Sequence, residues 1–180
     1  MLAPTPNRPM TFEELEQLPE SRGFRQELHH GELFELPPPK RGHQRIQARF
    51  MLLLNQAAGE AYAAETEFGF KPLPQYEYWI ADVALFNRAR EAAIADDGYF
   101  DGVPELVIEV LSPSNSIREM RERKKICLEN GAKEFWIVDS KDCDVEVSTP
   151  DGRSITYKSG QRIPLFFALD GRLEVDAIFA

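Results

Sequence analysis

Apolar positions recur along the chain with two different spacings, which predict strands and helices in turn. Compact apolar runs predict central strands at residues 64–71, 76–86, 104–112 and 134–139. Amphipathic segments separate several of these runs. The pattern therefore predicts one α/β domain over residues 1–180, in which helices flank a mixed β-sheet core.

Two segments have the spacing of amphipathic helices. In residues 43–61 one apolar stripe is formed by Ile46, Phe50, Leu53 and Ala57, and Gln47 falls outside it. In residues 117–131 the stripe is formed by Ile117, Met120, Cys127 and Leu128, and Gly131 suits the C-terminal cap. A shorter helix is predicted after Thr11, because Thr11 and Glu14 have the spacing of a capping box.

Turn residues predict a hairpin near each end of the chain. His30-Gly31 joins two short strands in an N-terminal hairpin, and Pro37–Pro39 end the second strand. Pro150-Asp151-Gly152 predicts a C-terminal β-hairpin. The last stretch, residues 163–180, is strongly apolar, so we expect it to cover a sheet edge or a partner.

The composition is 43% hydrophobic and 28% charged, and the formal net charge is −9. This charge counts against a broad basic DNA-binding surface, but it allows a local basic groove or a cluster of acids that binds a divalent cation. No apolar run reaches the length of a membrane span, and the first residues lack a secretory signal. We therefore expect a cytoplasmic protein, with Cys127 and Cys143 as buried free thiols.

Two predicted strands each carry a single acid within an apolar run. Asp82 interrupts "WIADVALF" and Glu109 interrupts "LVIEVLS". Burying an unpaired carboxylate is costly, whereas two carboxylates on neighbouring strands can ligate Mg²⁺ or Mn²⁺. Such a metal polarises a phosphoryl oxygen and activates water. The alternative is that each acid pairs with a basic side chain or reaches water at a strand end.

The helix after the Glu109 strand is rich in basic residues, "EMRERKK". At 100° per residue, Lys124 falls near the centre of its apolar stripe and Arg123 at the flank. We therefore expect Lys124 to approach the sheet. A cation beside two carboxylates can orient water or stabilise a phosphoryl transition state. The alternative is a solvated basic face near the C-terminal half of a helix.

At these residues the sequence resembles the Uma2 family, once called a domain of unknown function. The resemblance rests on "GVPELVIEVLSPSN", then a charged helix, then "NGAKEFWIVD", with "QELHHGELFELPPP" and "YWIADVALF" upstream in the same order. It implies a restriction-endonuclease-like fold, similar to nucleases with a PD-(D/E)xK core that cut phosphodiester bonds with Mg²⁺. By position, Asp82 and Glu109 match the two motif acids. Glu27 matches a recurrent upstream acid, with Glu32 and His43 as weaker candidates.

The sequence departs from the nuclease pattern at three positions. Ala81 replaces the proline before Asp82, and Leu111 occupies the usual lysine position. The resemblance suggests that the lysine has moved to the following helix, where Arg123 takes its place and Lys124 is adjacent. Arginine stabilises charge but does not readily act as a general acid or base. Either Lys124 serves instead, or activity is weakened.

Three functions follow from this combination. The first is a Mg²⁺- or Mn²⁺-dependent DNA endonuclease with Asp82 and Glu109 as ligands. Under this hypothesis DNA contacts the basic residues before and within the predicted helix at 43–61, which are Lys40, Arg41, His43 and Arg45. The second is a non-catalytic nuclease-like protein that binds DNA or a partner protein. The third is an assembly protein, since the apolar C-terminal stretch is suited to a homodimer interface.

Overall fold

The structure is a computed structural model that describes residues 8–19, 23–95, 98–112 and 116–180. Residues 1–7, 20–22 and 96–97, and the Pro-Ser-Asn end of the "ELVIEVLSPSN" motif, lie outside the described residues. The helices are α1 Phe12–Glu16, α2 Arg41–Ala57, α3 Arg88–Glu91, α4 Ile117–Glu129 and α5 Val175–Phe179. The strands are β1 Arg25–His29, β2 Glu32–Leu36, β3 Tyr62–Lys71, β4 Trp79–Asn87, β5 Phe100–Asp101, β6 Leu106–Val110, β7 Glu134–Asp139, β8 Asp144–Ser148, β9 Ser154–Tyr157, β10 Arg162–Pro164 and β11 Arg172–Glu174.

Seven strands form the central sheet, in the order β5-β3-β4-β6-β7-β8-β9. The β3–β5 and β6–β7 pairs are parallel and the other pairs are antiparallel, so the predicted mixed sheet is confirmed. Helix α4 makes the crossover between the parallel strands β6 and β7. Both predicted hairpins are confirmed, as β1–β2 and β8–β9.

Apolar side chains fill both faces of the sheet. On one face, Phe50 and Leu54 of α2 pack with Val83 and Ile108 of the sheet. On the other face, buried residues of α4 pack with Val107 and neighbouring residues. Consecutive residues of β6 therefore belong to different core clusters, which explains why this strand is apolar throughout except for Glu109.

Three details differ from the sequence expectations. The buried face of α2 includes Gln47 and Leu54, because the helix is turned slightly from the predicted stripe. Ile117 begins α4 and is 74% exposed, so it does not belong to the buried stripe of that helix. Cys127 is buried as expected, whereas Cys143 is exposed.

The apolar C-terminal stretch packs inside the protein rather than at an outer surface. Its buried side chains join the same core cluster as α2 and are Ile163, Leu165, Leu173, Val175 and Ile178. The stretch forms the β10–β11 hairpin and α5, and it does not extend the central sheet at an edge. Its apolar composition therefore no longer argues for a homodimer interface, and the homodimer stays a prediction. In the described ranges, no helix is long and apolar enough to cross a membrane.

The packing of this segment predicts that substitutions at two of its apolar residues differ in their effect on stability. Ile178 is 1% exposed and Leu169 is 98% exposed. We expect Ile178→Ala to lower the free energy of unfolding by about 2–4 kcal/mol, because it leaves a cavity in the core. Leu169→Ala should change it by less than about 0.5 kcal/mol. Urea unfolding of both variants measures the difference. Equal, small effects would contradict the packing described here.

Candidate active site

The two predicted acids lie at the end of the β4–β6 ladder. Its last registered pair is Val83 with Ile108, so Asp82 and Glu109 are the next residues along the two strands. Their relative exposures are only 6% and 7%. Asp82 Oδ2 accepts a 2.8 Å hydrogen bond from the backbone nitrogen of Val110, which joins the two strands just beyond the last registered pair. The structure therefore brings the predicted acids onto adjacent strands.

Helix α2 and strand β1 supply the polar neighbours of Asp82. Gln47 Nε2 donates to Asp82 Oδ1 at 3.0 Å. His43 Nε2 lies 2.8 Å from the same oxygen, and Arg25 Nη1 lies 4.0 Å from it. His43 and Gln47 are one helical turn apart, so both side chains can reach one carboxylate. The Asp82 carboxylate is thus approached by polar side chains from both α2 and β1.

Glu109 faces Arg123 of α4. Arg123 Nε lies 2.9 Å from Glu109 Oε1, but both atoms are buried and neither makes an aligned hydrogen bond. Burial raises the pKa of Glu109 well above its ordinary value; Arg123 opposes this rise, whereas Asp82 and Glu27 add to it. Glu109 is therefore a buried carboxyl with an unsatisfied oxygen.

Glu27 reaches the same region from the N-terminal hairpin. Its carboxylate accepts from the Ile80 backbone nitrogen at 2.9 Å and is hydrogen-bonded to His29 Nε2 at 2.7 Å. Arg123 Nη1 donates to it at 3.2 Å. Burial alone would raise the pKa of Glu27, but Arg123 and His29 outweigh it and hold the pKa at about 2. Glu32, the weaker candidate, is exposed on β2.

Arg123 is the cation that the structure brings to the acids. Its guanidinium contacts Glu27 and Glu109, donates to the Ile80 carbonyl oxygen at 2.7 Å and lies 5.2 Å from the Trp79 ring centroid. These carboxylates raise the pKa of Arg123 above its already high value despite burial, so it stays charged.

Lys124 lies elsewhere on the sheet. Its Nζ donates to Glu146 Oε1 at 2.7 Å and to Ser148 Oγ at 3.3 Å, both on β8. The expectation that Lys124 approaches the sheet is met, but it does not reach Asp82 or Glu109. The helical wheel misplaced it because the true buried face of α4 does not extend to Ile117.

Sequence reasoning missed three polar residues around Asp82: Arg25, Gln47 and Glu67. Gln47 is 2% exposed, and its amide donates to both Asp82 and Glu67. Arg25 is ion-paired with Glu67. The spacing of Gln47, four residues after His43 on one helix, was a usable signal. Nothing in the sequence singled out Arg25 or Glu67.

The donor set decides whether a metal fits. Among the described residues, no group of three or more His, Cys, Asp and Glu side chains could hold a metal ion. Mg²⁺ does not require such a group, because it usually keeps several waters and binds one or two carboxylates. Asp82 and Glu109 meet that requirement, and a metal at Glu109 Oε1 would compete with Arg123 Nε, which lies 2.9 Å from that oxygen. The acids therefore fit Mg²⁺ or Mn²⁺ rather than a cation that needs an all-protein cage.

The predicted nucleic-acid contacts fall around the first turn of α2. Lys40 is the N-cap residue, and Arg41 and Arg45 follow in the helix. All three are exposed, whereas His43 points to Asp82. A basic helix N-terminus thus adjoins the acids through His43.

Comparison with known proteins places this arrangement in a family. Residues 12–174 match the Uma2 family, whose description is "Putative restriction endonuclease". The chain belongs to the Uma2 family. A solved structure, described as a "putative nuclease belonging to DUF820" from Anabaena variabilis ATCC 29413, is similar in fold with a TM-score of 0.80 and 22% identity. The similarity covers 95% of this chain and 98% of that one. No curated protein matches the chain significantly. The Uma2 assignment and the restriction-endonuclease-like fold expected from the sequence are both confirmed.

The lowered pKa of Glu27 predicts a pH-dependent stability. Because the folded pKa is about 2 and the ordinary value is 4.5, ionised Glu27 stabilises the fold above pH 4.5 and loses this effect as pH falls towards 2. We expect Glu27→Gln to lower the free energy of unfolding by about 3 kcal/mol at pH 7 and by about 1–2 kcal/mol at pH 3.

Urea unfolding of wild type and Glu27→Gln at both pH values measures this difference. Glu32→Gln, which alters an exposed acid of the same hairpin, is the control and should leave stability unchanged. A difference that is constant with pH would contradict the ionised, paired state of Glu27.

Proposed function

We propose that this protein is a Mg²⁺- or Mn²⁺-dependent endonuclease that hydrolyses phosphodiester bonds in DNA. The observation that carries the proposal is the buried acid pair on adjacent strands, in which the ion pair of Glu109 Oε1 with Arg123 Nε at 2.9 Å is not an aligned hydrogen bond. A structural acid pair would be expected to satisfy its oxygens within the protein. Membership of the Uma2 family supports nuclease activity in general.

In this proposal each residue of the centre has a separate task. Asp82 and Glu109 are the metal ligands, and the cation supplies Lewis acidity to the phosphodiester and lowers the pKa of water. Gln47 and His43 fix the Asp82 carboxylate through contacts at 3.0 and 2.8 Å. Arg123 stabilises negative charge on the phosphoryl group, and Glu27 holds the Arg123 guanidinium in place.

DNA is the proposed substrate because exposed basic residues lie at the start of α2, the same helix that contacts Asp82 through His43 and Gln47. Lys40, Arg41 and Arg45 are exposed in and before the first turn of α2, where the helix dipole also favours phosphate. Glu27, Asp82 and Glu109 would repel a phosphodiester without such neighbours. A local patch also fits the net charge of −9, which disfavours broad non-specific binding.

Nicking of supercoiled plasmid tests the proposal. Wild type should nick with Mg²⁺ or Mn²⁺ and not with EDTA. We expect Asp82→Asn and Glu109→Gln each to lower the rate by at least about 100-fold, because each removes a charged ligand. Asp101→Asn, which alters an exposed acid on β5, is the control and should keep the wild-type rate. Metal-independent nicking, or full activity in Asp82→Asn, would contradict the proposal.

Arg123 favours a second candidate, a nuclease-like protein with weakened catalysis that binds DNA or a partner protein. Its guanidinium contacts Glu27 and Glu109 at 3.2 and 2.9 Å, so the acids already have a cation. Its raised pKa also prevents it from exchanging a proton near neutral pH. Under this candidate the fold and the acids are retained for binding.

Arg123→Lys separates the two candidates. Lysine keeps a positive charge beside Glu109 but is more compact and can exchange a proton. If Arg123 limits catalysis, we expect Arg123→Lys to nick plasmid roughly tenfold faster than wild type. Arg123→Gln, which removes the charge, should nick more slowly. A lysine variant slower than wild type would show that arginine is the functional residue, and would reject the weakened-catalysis candidate.

A further inference from the structure

The regular alternation of β3 side chains between the two faces of the sheet is interrupted at Glu67. Ala63 and Phe70 belong to the same core cluster, although residues an odd number apart face opposite sides of a regular strand. Strand β4 makes the matching change, since Ala81 and Ala84 also share that cluster. Glu67 has φ +54°, in the left-handed region that non-glycine residues rarely adopt. It lies between the registered pairs Thr66–Val83 and Phe68–Ala81, and therefore opposite Asp82.

The Glu67 carboxylate contacts the two side chains that also approach Asp82. Gln47 Nε2 donates to Glu67 Oε1 and to Asp82 Oδ1. Arg25 Nη1 is ion-paired with Glu67 Oε2 and lies 4.0 Å from Asp82 Oδ1. Arg25 Nε is buried and has no hydrogen-bond partner among the described residues, so within this part of the chain the guanidinium has a donor to spare. Two acids thus compete for one arginine, and Glu67 has the closer contact.

We propose that Glu67 is a positioning residue that holds Arg25 away from Asp82 and so keeps the Asp82 carboxylate available to a divalent cation. The proposal rests on the proposed function, in which Asp82 is a metal ligand. Without Glu67, the nearest carboxylate to the partly buried guanidinium of Arg25 is Asp82. A buried charge is stable only when it is paired, so Arg25 would then pair with Asp82 Oδ1 and compete with a metal for this carboxylate.

The backbone of Glu67 supports a functional rather than a purely structural role. A left-handed residue in the middle of a ten-residue strand carries strain, and such outliers cluster at functional sites. The change of facing pattern brings Glu67 to Arg25 and Gln47, where a regular strand would turn its side chain to the other face. Asp82, its neighbour across the ladder, is a residue of the candidate site.

Calorimetric titration with Mn²⁺ alone, on the purified full chain, tests the proposal. Glu67→Gln is nearly isosteric and removes only the charge; we expect it to bind Mn²⁺ roughly tenfold more weakly than wild type. Arg25→Gln alone should change the affinity less than about threefold, because Glu67 already holds Arg25 away. In the Glu67→Gln background, Arg25→Gln should restore the lost affinity. Glu65→Gln, an exposed acid on the same strand, is the control and should bind as wild type does.

The proposal is overturned if Glu67→Gln binds Mn²⁺ as wild type does, or if Arg25→Gln has the same effect in both backgrounds. Equal effects would indicate independent charges without competition. Metal-free crystal structures of wild type and Glu67→Gln give a second readout. The Arg25 Nη1–Asp82 Oδ1 separation should shorten from 4.0 Å to about 3 Å in the variant, and an unchanged separation overturns the proposal. If wild type binds no Mn²⁺, the proposed function fails, and this distance alone decides the role of Glu67.

Discussion

The structure around the candidate site depends on how one arginine compensates the charge of buried acids. Glu27, Asp82 and Glu109 are each at most 7% exposed, and placing them near one another without cations would be prohibitive. Arg123 contacts Glu27 and Glu109, while the close side-chain contacts of Asp82 are with His43 and Gln47. Burial raises the pKa of Glu109 more than Arg123 lowers it, whereas Arg123 and the hydrogen bond to His29 outweigh burial at Glu27, so the pKa values of the two acids shift in opposite directions.

This compensation also joins the elements of the fold. The β1–β2 hairpin is separate from the central sheet, and it forms a bridge from Leu28 to Tyr78, the residue just before β4. Arg123 ties the hairpin to α4 through Glu27, and His30 makes a second link between the hairpin and α4 by contacting Glu122 at 2.9 Å. The hairpin is thus held by polar contacts at the site and by an apolar cluster in which Leu28 packs with Phe12 and Leu15 of α1.

The strands and the two acids were predictable because a lone acid in an apolar run stands out in a sequence. The apolar stripe did not indicate Gln47, because α2 is rotated slightly about its axis relative to the predicted buried face. A pattern of apolar positions is too coarse to predict so small a rotation. The helical wheel placed Lys124 rather than Arg123 near the centre of the buried face of α4 because it counted Ile117, which is exposed, in the apolar stripe. The position of the Glu67 side chain depends on a left-handed backbone conformation at that residue. Such a conformation cannot be predicted from the sequence, because glutamate rarely adopts it. For the C-terminal stretch, the apolar composition predicts that its side chains are covered but does not identify the segment that covers them, which in the structure includes α2.

The order of the site residues along the chain has a consequence for biosynthesis. The hydrogen-bonded residues Glu27 and Arg123 are 96 positions apart, and all three acids precede the arginine. A ribosome therefore releases Glu27 and Asp82 well before Arg123, and Glu109 shortly before it, and all three acids before β7, which flanks β6 in the finished sheet. An incomplete nascent chain carries the acids but has no means of burying them together. The centre is assembled late, when most of the polypeptide is already available to fold.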